Sequence, residues 1–254
     1  MAITRSMVDA PDFPPLLTGH AVAPPADAFS LACRRAASGE AGAGDIFWSR
    51  SHNDLDVAIV LEPEVGVGQA REMLFVAMVA LGDCIGALSP PEVGIFYRWP
   101  GMILANGAEV GQARLAMADC DDGEAPPQWL VVGVTLAVRP ARDAPDPGAD
   151  IERTTLWDEG CGDLDRNTLL ESYSRHLKTW IHRWETEGVR PVREAWLARA
   201  EGRGETVTIA YDGAEKTGTF LGIDEAGGLI LKTGETTLIL DLSKALAADG
   251  PPQE

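Results

Sequence analysis

The chain has 254 residues, 39 acidic against 21 basic, and a formal net charge of −18, so the phosphates of nucleic acid and anionic membranes would be repelled. That length buries a core without help from metal or disulfide. Cys33, Cys84, Cys120 and Cys161 form no Cys-x-x-Cys pair, which predicts reduced structural thiols and a cytoplasmic location. No apolar run is long enough to span a bilayer.

In chain order, residues 1–25 carry no basic-then-apolar leader and are rich in proline, so they read as an extended strap. A first helix is predicted over 25–37, with Asp27 near its start and Phe29, Ala32, Cys33 and Ala36 on one face. Residues 40–44 are small and flexible. Strands follow at 45–49 and 56–61, the second nearly all apolar and therefore buried. Residues 67–87 predict one long helix with Val67, Ala70, Met73, Leu74, Ala77, Leu81 and Ile85 as its core stripe, stopped by Ser89-Pro90-Pro91. Further strands are expected at 93–99, 102–105, 110–118 and 129–138. An acidic loop with Asp119, Asp121, Asp122 and Glu124 separates the last two, and residues 140–150 form a second surface loop.

Residues 166–187 give the clearest helical pattern. Leu169, Leu170, Tyr173, Leu177, Trp180, Ile181 and Trp184 lie on one side, with Asp165 as cap and Gly188 as stop. From Gly204 the pattern changes to short strands at 206–211, 216–223, 229–232 and 236–241, and Asp212-Gly213 is a hairpin signal. These predict a small β-barrel with a boundary near Ala200.

Residues 97–114 run Tyr-Arg-Trp-Pro-Gly-Met-Ile-Leu-Ala-Asn-Gly-Ala-Glu-Val-Gly-Gln-Ala-Arg. Arg98-Trp99-Pro100 and Asn106-Gly107 resemble, in type and spacing, the central active-site segment of biotin–protein ligases. There a basic-Trp-Pro-Asn-Asp strand end leads through an Asn-Gly turn to a strand opened by a catalytic lysine. Gly218-Thr-Phe-Leu-Gly-Ile-Asp-Glu-Ala-Gly-Gly-Leu-Ile-Leu231 is similar to that family's C-terminal module. The resemblance covers residues 27–242. It implies an α+β, class II synthetase/biotin–protein ligase-like catalytic-type domain over 1–200, and an SH3-like β-barrel over 201–254. Lipoate ligases share the catalytic fold.

The chemistry implied by the resemblance joins biotin and ATP, with magnesium, into an acyl-adenylate that a lysine of a carrier domain attacks. Such a site needs cations for phosphate, an apolar groove for the acid and exclusion of water. Trp48 and Ser49 match the end of the family's arginine-rich loop, but residues 40–47 ahead of them hold no arginine and Gly42 alone fits. Gly101-Met102 replaces the Asn-Asp pair, Glu109 stands at the lysine position, and Ala137 stands at an asparagine position on a strand where Gly133 matches. Val110-Gly111-Gln112 lies at the small-residue floor beneath the biotin ring, with Gln112 replacing a glycine. Arg98 and Arg114 are cations suited to a carboxylate. The candidate pocket therefore comprises Trp48, Ser49, Arg98, Trp99, Pro100, Gly101, Asn106, Gly107, Val110, Gly111, Gln112, Arg114 and Gly133. No residue is assigned as catalytic. His20, His52, His176 and His182 lack metal-ligand spacing. Only His52 falls near the pocket.

Two functions follow. One is an ATP-dependent ligase attaching biotin or a lipoate-like acid to a biotin- or lipoyl-carrier lysine, with a remodelled nucleotide site. The other is a non-catalytic protein on the same scaffold that binds a small carboxylic acid or a carrier domain. Transcriptional repression is not expected, because no helix-turn-helix pattern precedes the catalytic-type region.

Overall fold

The computed structural model describes residues 10–120, 125–142 and 150–248. Its first part comprises β1 (Thr18–Val22), α1 (Ala28–Ala37), β2 (Asp45–Ser49), β3 (Asp54–Leu61), α2 (Val67–Ala70), α3 (Met73–Leu88), β4 (Ile95–Arg98), β5 (Met102–Ala105), β6 (Ala108–Met117), β7 (Leu130–Ala137), α4 (Arg166–Glu187) and α5 (Val189–Ala198). The seven strands form one sheet in the order β1-β2-β3-β7-β6-β5-β4, antiparallel except for the β1–β2 pair.

Alternation of side chains along the strands sends Val57, Ile59, Val132 and Val134 to one face and Ala58, Val60 and Val131 to the other. Helices α3, α4 and α5 cover the first face and α1 covers the second. Burial on both faces is why β3 reads as an almost unbroken apolar run.

Several expectations need correction. The proline-rich strap includes β1, whose register with β2 pairs Thr18 with Asp45 and Val22 with Ser49. The first helix starts at Ala28 because Asp27 is its cap, accepting a hydrogen bond from the Ser30 N–H at 2.9 Å. The helix expected over 67–87 is two helices. At Arg71 and Glu72 the backbone switches to bonds three residues back, Glu72 N–H to the Gln69 carbonyl and Phe75 N–H to the Glu72 carbonyl. Its core stripe is also too narrow: Met73 through Gly82 are all buried, because α3 lies between the sheet and α4 with α5. Gly188 ends α4 but also opens α5, where Pro191 sits in the first turn and needs no N–H partner.

The C-terminal part holds β8 (Thr206–Tyr211), β9 (Ala214–Ile223), β10 (Leu229–Thr233), β11 (Thr236–Leu240) and a short α6 (Leu242–Ala248) that the pattern does not announce. Its strands form an antiparallel sheet in the order β11-β10-β9-β8. Asp212 and Gly213, at φ of 52° and 72°, make the expected hairpin turn. This sheet packs on Trp196, whose ring lies 5.4 Å from that of Phe75 and 6.5 Å from that of Phe220. The segment joining the two parts is pinned to β4, with Tyr97 N–H bonded to the Arg199 carbonyl and Glu201 N–H to the Tyr97 carbonyl. All four cysteines are unpaired. No described helix is long and apolar enough to cross a membrane. Parts of the two predicted acidic loops, 121–124 and 143–149, lie outside the described residues.

Candidate functional site

A cavity of about 310 Å³ opens where β6 begins and β7 ends, lined by Met102, Glu109, Val110, Gly111, Gln112, Thr135, Ala137, Arg153 and Thr154. Its floor depends on a close backbone approach. A Cβ on Gly111 would lie 1.9 Å from the Thr135 carbonyl oxygen, so only glycine lets β6 and β7 meet there. Gly101 serves the same purpose one strand over: its Cβ would lie 2.4 Å from the Ala113 carbonyl. Val110, Gly111 and Gln112 of the predicted pocket come together around one space, joined by Glu109 from the expected lysine position.

The other predicted residues are placed elsewhere. Asn106 and Gly107 adopt φ of 49° and 96° in the β5–β6 hairpin, and the Asn106 side chain accepts from Gly94 N–H and donates to Glu159. Trp99, followed by Pro100, is buried and donates its indole N–H to the Gly227 carbonyl at 2.9 Å, fastening β4 to the C-terminal sheet. Gly133 lies under α1, where a Cβ would meet the Phe29 ring at 2.8 Å. Trp48 shares the helix-rich face with Ile46, and the Arg166 guanidinium stacks over it at 5.0 Å. Ser49 is buried and accepts a hydrogen bond from Ser51 N–H. His52 is exposed in its turn.

Neither predicted carboxylate-binding arginine is unengaged. Arg98 Nη1 lies 2.8 Å from Glu109 Oε1, while its Nε and Nη2 hold the two oxygens of Glu201 at 2.6 and 3.3 Å. Arg114 stacks on Phe29 at 4.5 Å and pairs with Asp27 at 3.2 Å. Burial alone would raise the Asp27 carboxyl, but its bonds from Ser30 and the Arg114 charge outweigh this and hold it below the usual range.

Residues the sequence reading misses complete the surroundings. The register sets Met102 beside Gln112, Gln112 beside Thr135 and Thr135 beside Asp56, so that the last three form a polar row across the sheet under the start of α1. Asp56 Oδ2 accepts the Ala28 N–H at 2.9 Å, and its buried Oδ1 has no hydrogen-bond partner. Burial pushes this carboxyl above the usual range, and neighbouring Asp27 adds to the effect. A carboxylate inside an apolar strand was the available signal for Asp56. Arg153 and Thr154 carried none, because a long-range bridge between Arg153 and Glu109 places them.

Residues 40–47 are the segment that the resemblance sets against the family's arginine-rich loop, and the amides of residues 40–44 bond within their own chain. Glu40 and Ala41 N–H bond the Arg35 carbonyl, Gly42 N–H bonds Asp45, Ala43 N–H bonds Glu62, and Gly44 N–H bonds the Val60 carbonyl. Two of these acceptors, Asp45 and Glu62, are carboxylates, so the amides of residues 40–44 are already spent and none is left for a phosphate. Among the described residues, no group of three His, Cys, Asp or Glu side chains is arranged to hold a metal ion.

The model of the Biotin/lipoate A/B protein ligase family matches residues 13–198, and that of the Biotin protein ligase C terminal domain matches 203–241. A biotin–[acetyl-CoA-carboxylase] ligase of Paracoccus denitrificans is 32% identical over 188 residues, covering 73% of this chain and 76% of that protein. Among solved structures, a biotin protein ligase-like protein of unknown function from Silicibacter sp. TM1040 is 39% identical with a TM-score of 0.83, over 93% of this chain and 99% of that one. The biotin protein ligase of Aquifex aeolicus in complex with biotin and ATP shares the fold alone, with a TM-score of 0.69 at 16% identity over 90% and 96% of the two chains. The chain belongs to the biotin/lipoate A/B protein ligase family and carries the C-terminal domain of the biotin protein ligases.

Proposed function

We propose that this chain is a biotin–protein ligase that joins biotin to a lysine of a carboxylase carrier domain. The observation that carries this reading is the cavity built from residues 109–112 and Thr135, the segment that most resembles the family's active site. At about 310 Å³ it lies at the small end of the roughly 300–1,000 Å³ of small-molecule sites, which suits a bicyclic acid and leaves a nucleotide outside its walls. In the proposed reaction a carboxylate oxygen of biotin attacks the α-phosphorus of ATP and pyrophosphate leaves. The carrier lysine amine then attacks the acyl carbon, loses a proton and displaces AMP. The protein's part is to hold the acid's ring away from water and its carboxylate at the cavity mouth.

One observation favours a second reading, an acid-binding protein that recognises a carrier domain without forming the adenylate. The amides of residues 40–44 are all engaged within the chain, and Glu109 brings a carboxylate where a cation is expected. Incubation of the full chain with magnesium, α-labelled ATP, biotin and a carboxylase carrier domain tests both, with octanoate and a lipoyl carrier as a parallel arm. Biotinylated carrier is the expected product. Biotin bound in calorimetry with no adenylate and no transfer supports the second reading, and no biotin binding defeats both.

A further inference from the structure

We propose that Arg153 holds the carboxylate of the bound acid, supplying the positive charge that position 109 lacks. The inference rests on the cavity being the acid's site, as argued above. Arg153 lines the cavity beside Gln112, Thr135 and Thr154. Its position is fixed by the backbone. Glu109 N–H bonds the Glu152 carbonyl at 2.7 Å and Thr154 N–H bonds the Glu109 carbonyl at 2.9 Å, a parallel bridge that pairs Arg153 with Glu109 itself. The segment is fastened further along as well. Leu156 and Trp157 N–H bond the carbonyls of Ala137 and Val138, and Thr154 Oγ1 donates to Glu159, which also accepts from Asn106. A residue held this way has its backbone ordered before ligand arrives, which lowers the entropic cost of binding.

Charge at the cavity points the same way. Arg98 is shared between Glu109 and Glu201, a triad of net charge −1, so its positive charge is already more than offset before an acid arrives. Arg114 is committed to Asp27 and Phe29. Arg153 forms no ion pair among the described residues, and its planar fork matches a carboxylate with two parallel hydrogen bonds. The acid's carboxylate would then sit at the bridge while its ring rests on the glycine floor.

Calorimetry with the full chain separates this from a general loss of the site, using biotin and biotinol, the alcohol that lacks the carboxylate. Arg153→Gln is expected to weaken biotin about tenfold to a hundredfold while biotinol changes by less than about twofold. Arg153→Lys should recover part of the biotin affinity. Arg153 is exposed, and retained biotinol binding reports a folded cavity. Equal weakening of both ligands, no weakening of either, or tighter binding of the alcohol than the acid by the unchanged protein overturns the role of Arg153. Binding of neither ligand to the unchanged protein overturns the cavity assignment itself, and the inference with it.

Discussion

The guanidinium of Arg98 lies 2.8 Å from the carboxylate of Glu109 while its other nitrogens grip Glu201, so one arginine links the strand bordering the cavity to the start of the C-terminal part. Glu109 is therefore a partner in an ion triad and not an isolated reversal of charge. The two carboxylates keep the Arg98 guanidinium charged, Glu201 contributing most.

This relationship governs Glu109→Lys. The new ammonium would stand against Arg98, and the loop at 40–44 would still turn its amides inward. We expect no rise in biotinyl-adenylate above the unchanged protein, because groups that act as a unit are not restored one at a time. The stability loss should stay below about 1 kcal/mol, since both partners are partly exposed. A clear gain in adenylate from this single change would show that the remaining nucleotide contacts are intact.

Trp99 provides a separate test of how the two parts are joined. Trp99→Phe keeps most of the ring but removes the donor to the Gly227 carbonyl. An unpaired buried carbonyl costs about 1–3 kcal/mol, so the urea midpoint should fall accordingly. An unchanged midpoint would mean that the indole bond contributes nothing to docking.

Gly111→Ala and Gly86→Ala form a matched pair. A Cβ at position 111 would collide with the Thr135 backbone, whereas at position 86, exposed on α3, it would meet nothing within 4 Å. The first should lower stability by about 1–3 kcal/mol or prevent soluble expression. The second should raise it by up to about 1 kcal/mol, since alanine is the better helix former. Thermal midpoints moving in the same direction would contradict the backbone contact at Gly111.

How far these features are legible in the sequence follows from the range of the interactions behind them. The turns at Asn106-Gly107 and Asp212-Gly213 are local, because both residues of each pair need positive φ, and they stand where the pattern puts them. The buried strands β3 and β7 and the capped helix α4 are equally plain. The side that Trp48 takes is not, because β2 is apolar on both faces and alternation alone names no face. The break at Arg71 and Glu72 leaves the apolar spacing of the helix undisturbed, so periodicity cannot announce it. Arg98 meets Glu201 across 103 positions, and Arg153 meets Glu109 only through a backbone bridge. Those pairings depend on the finished fold, and they are what define the charge of the cavity.

Glu72 makes the pH dependence of stability testable. It is 7% exposed, and its carboxylate accepts the Trp184 indole N–H at 2.5 Å. Burial raises its carboxyl above the ordinary value of 4.5, and the indole bond only partly opposes that. A group raised on folding favours the folded state while it keeps its proton. Its contribution is therefore full below the ordinary value, lost as pH rises through the raised folded value, and absent above it. Glu72→Gln retains a carbonyl for Trp184 and cannot ionise, so it escapes this loss. The thermal midpoint of the variant relative to the unchanged protein should accordingly be higher at about pH 8 than at about pH 4. Midpoint differences that are equal at the two pH values, or larger in acid, would show that Glu72 ionises as readily in the fold as in the unfolded chain.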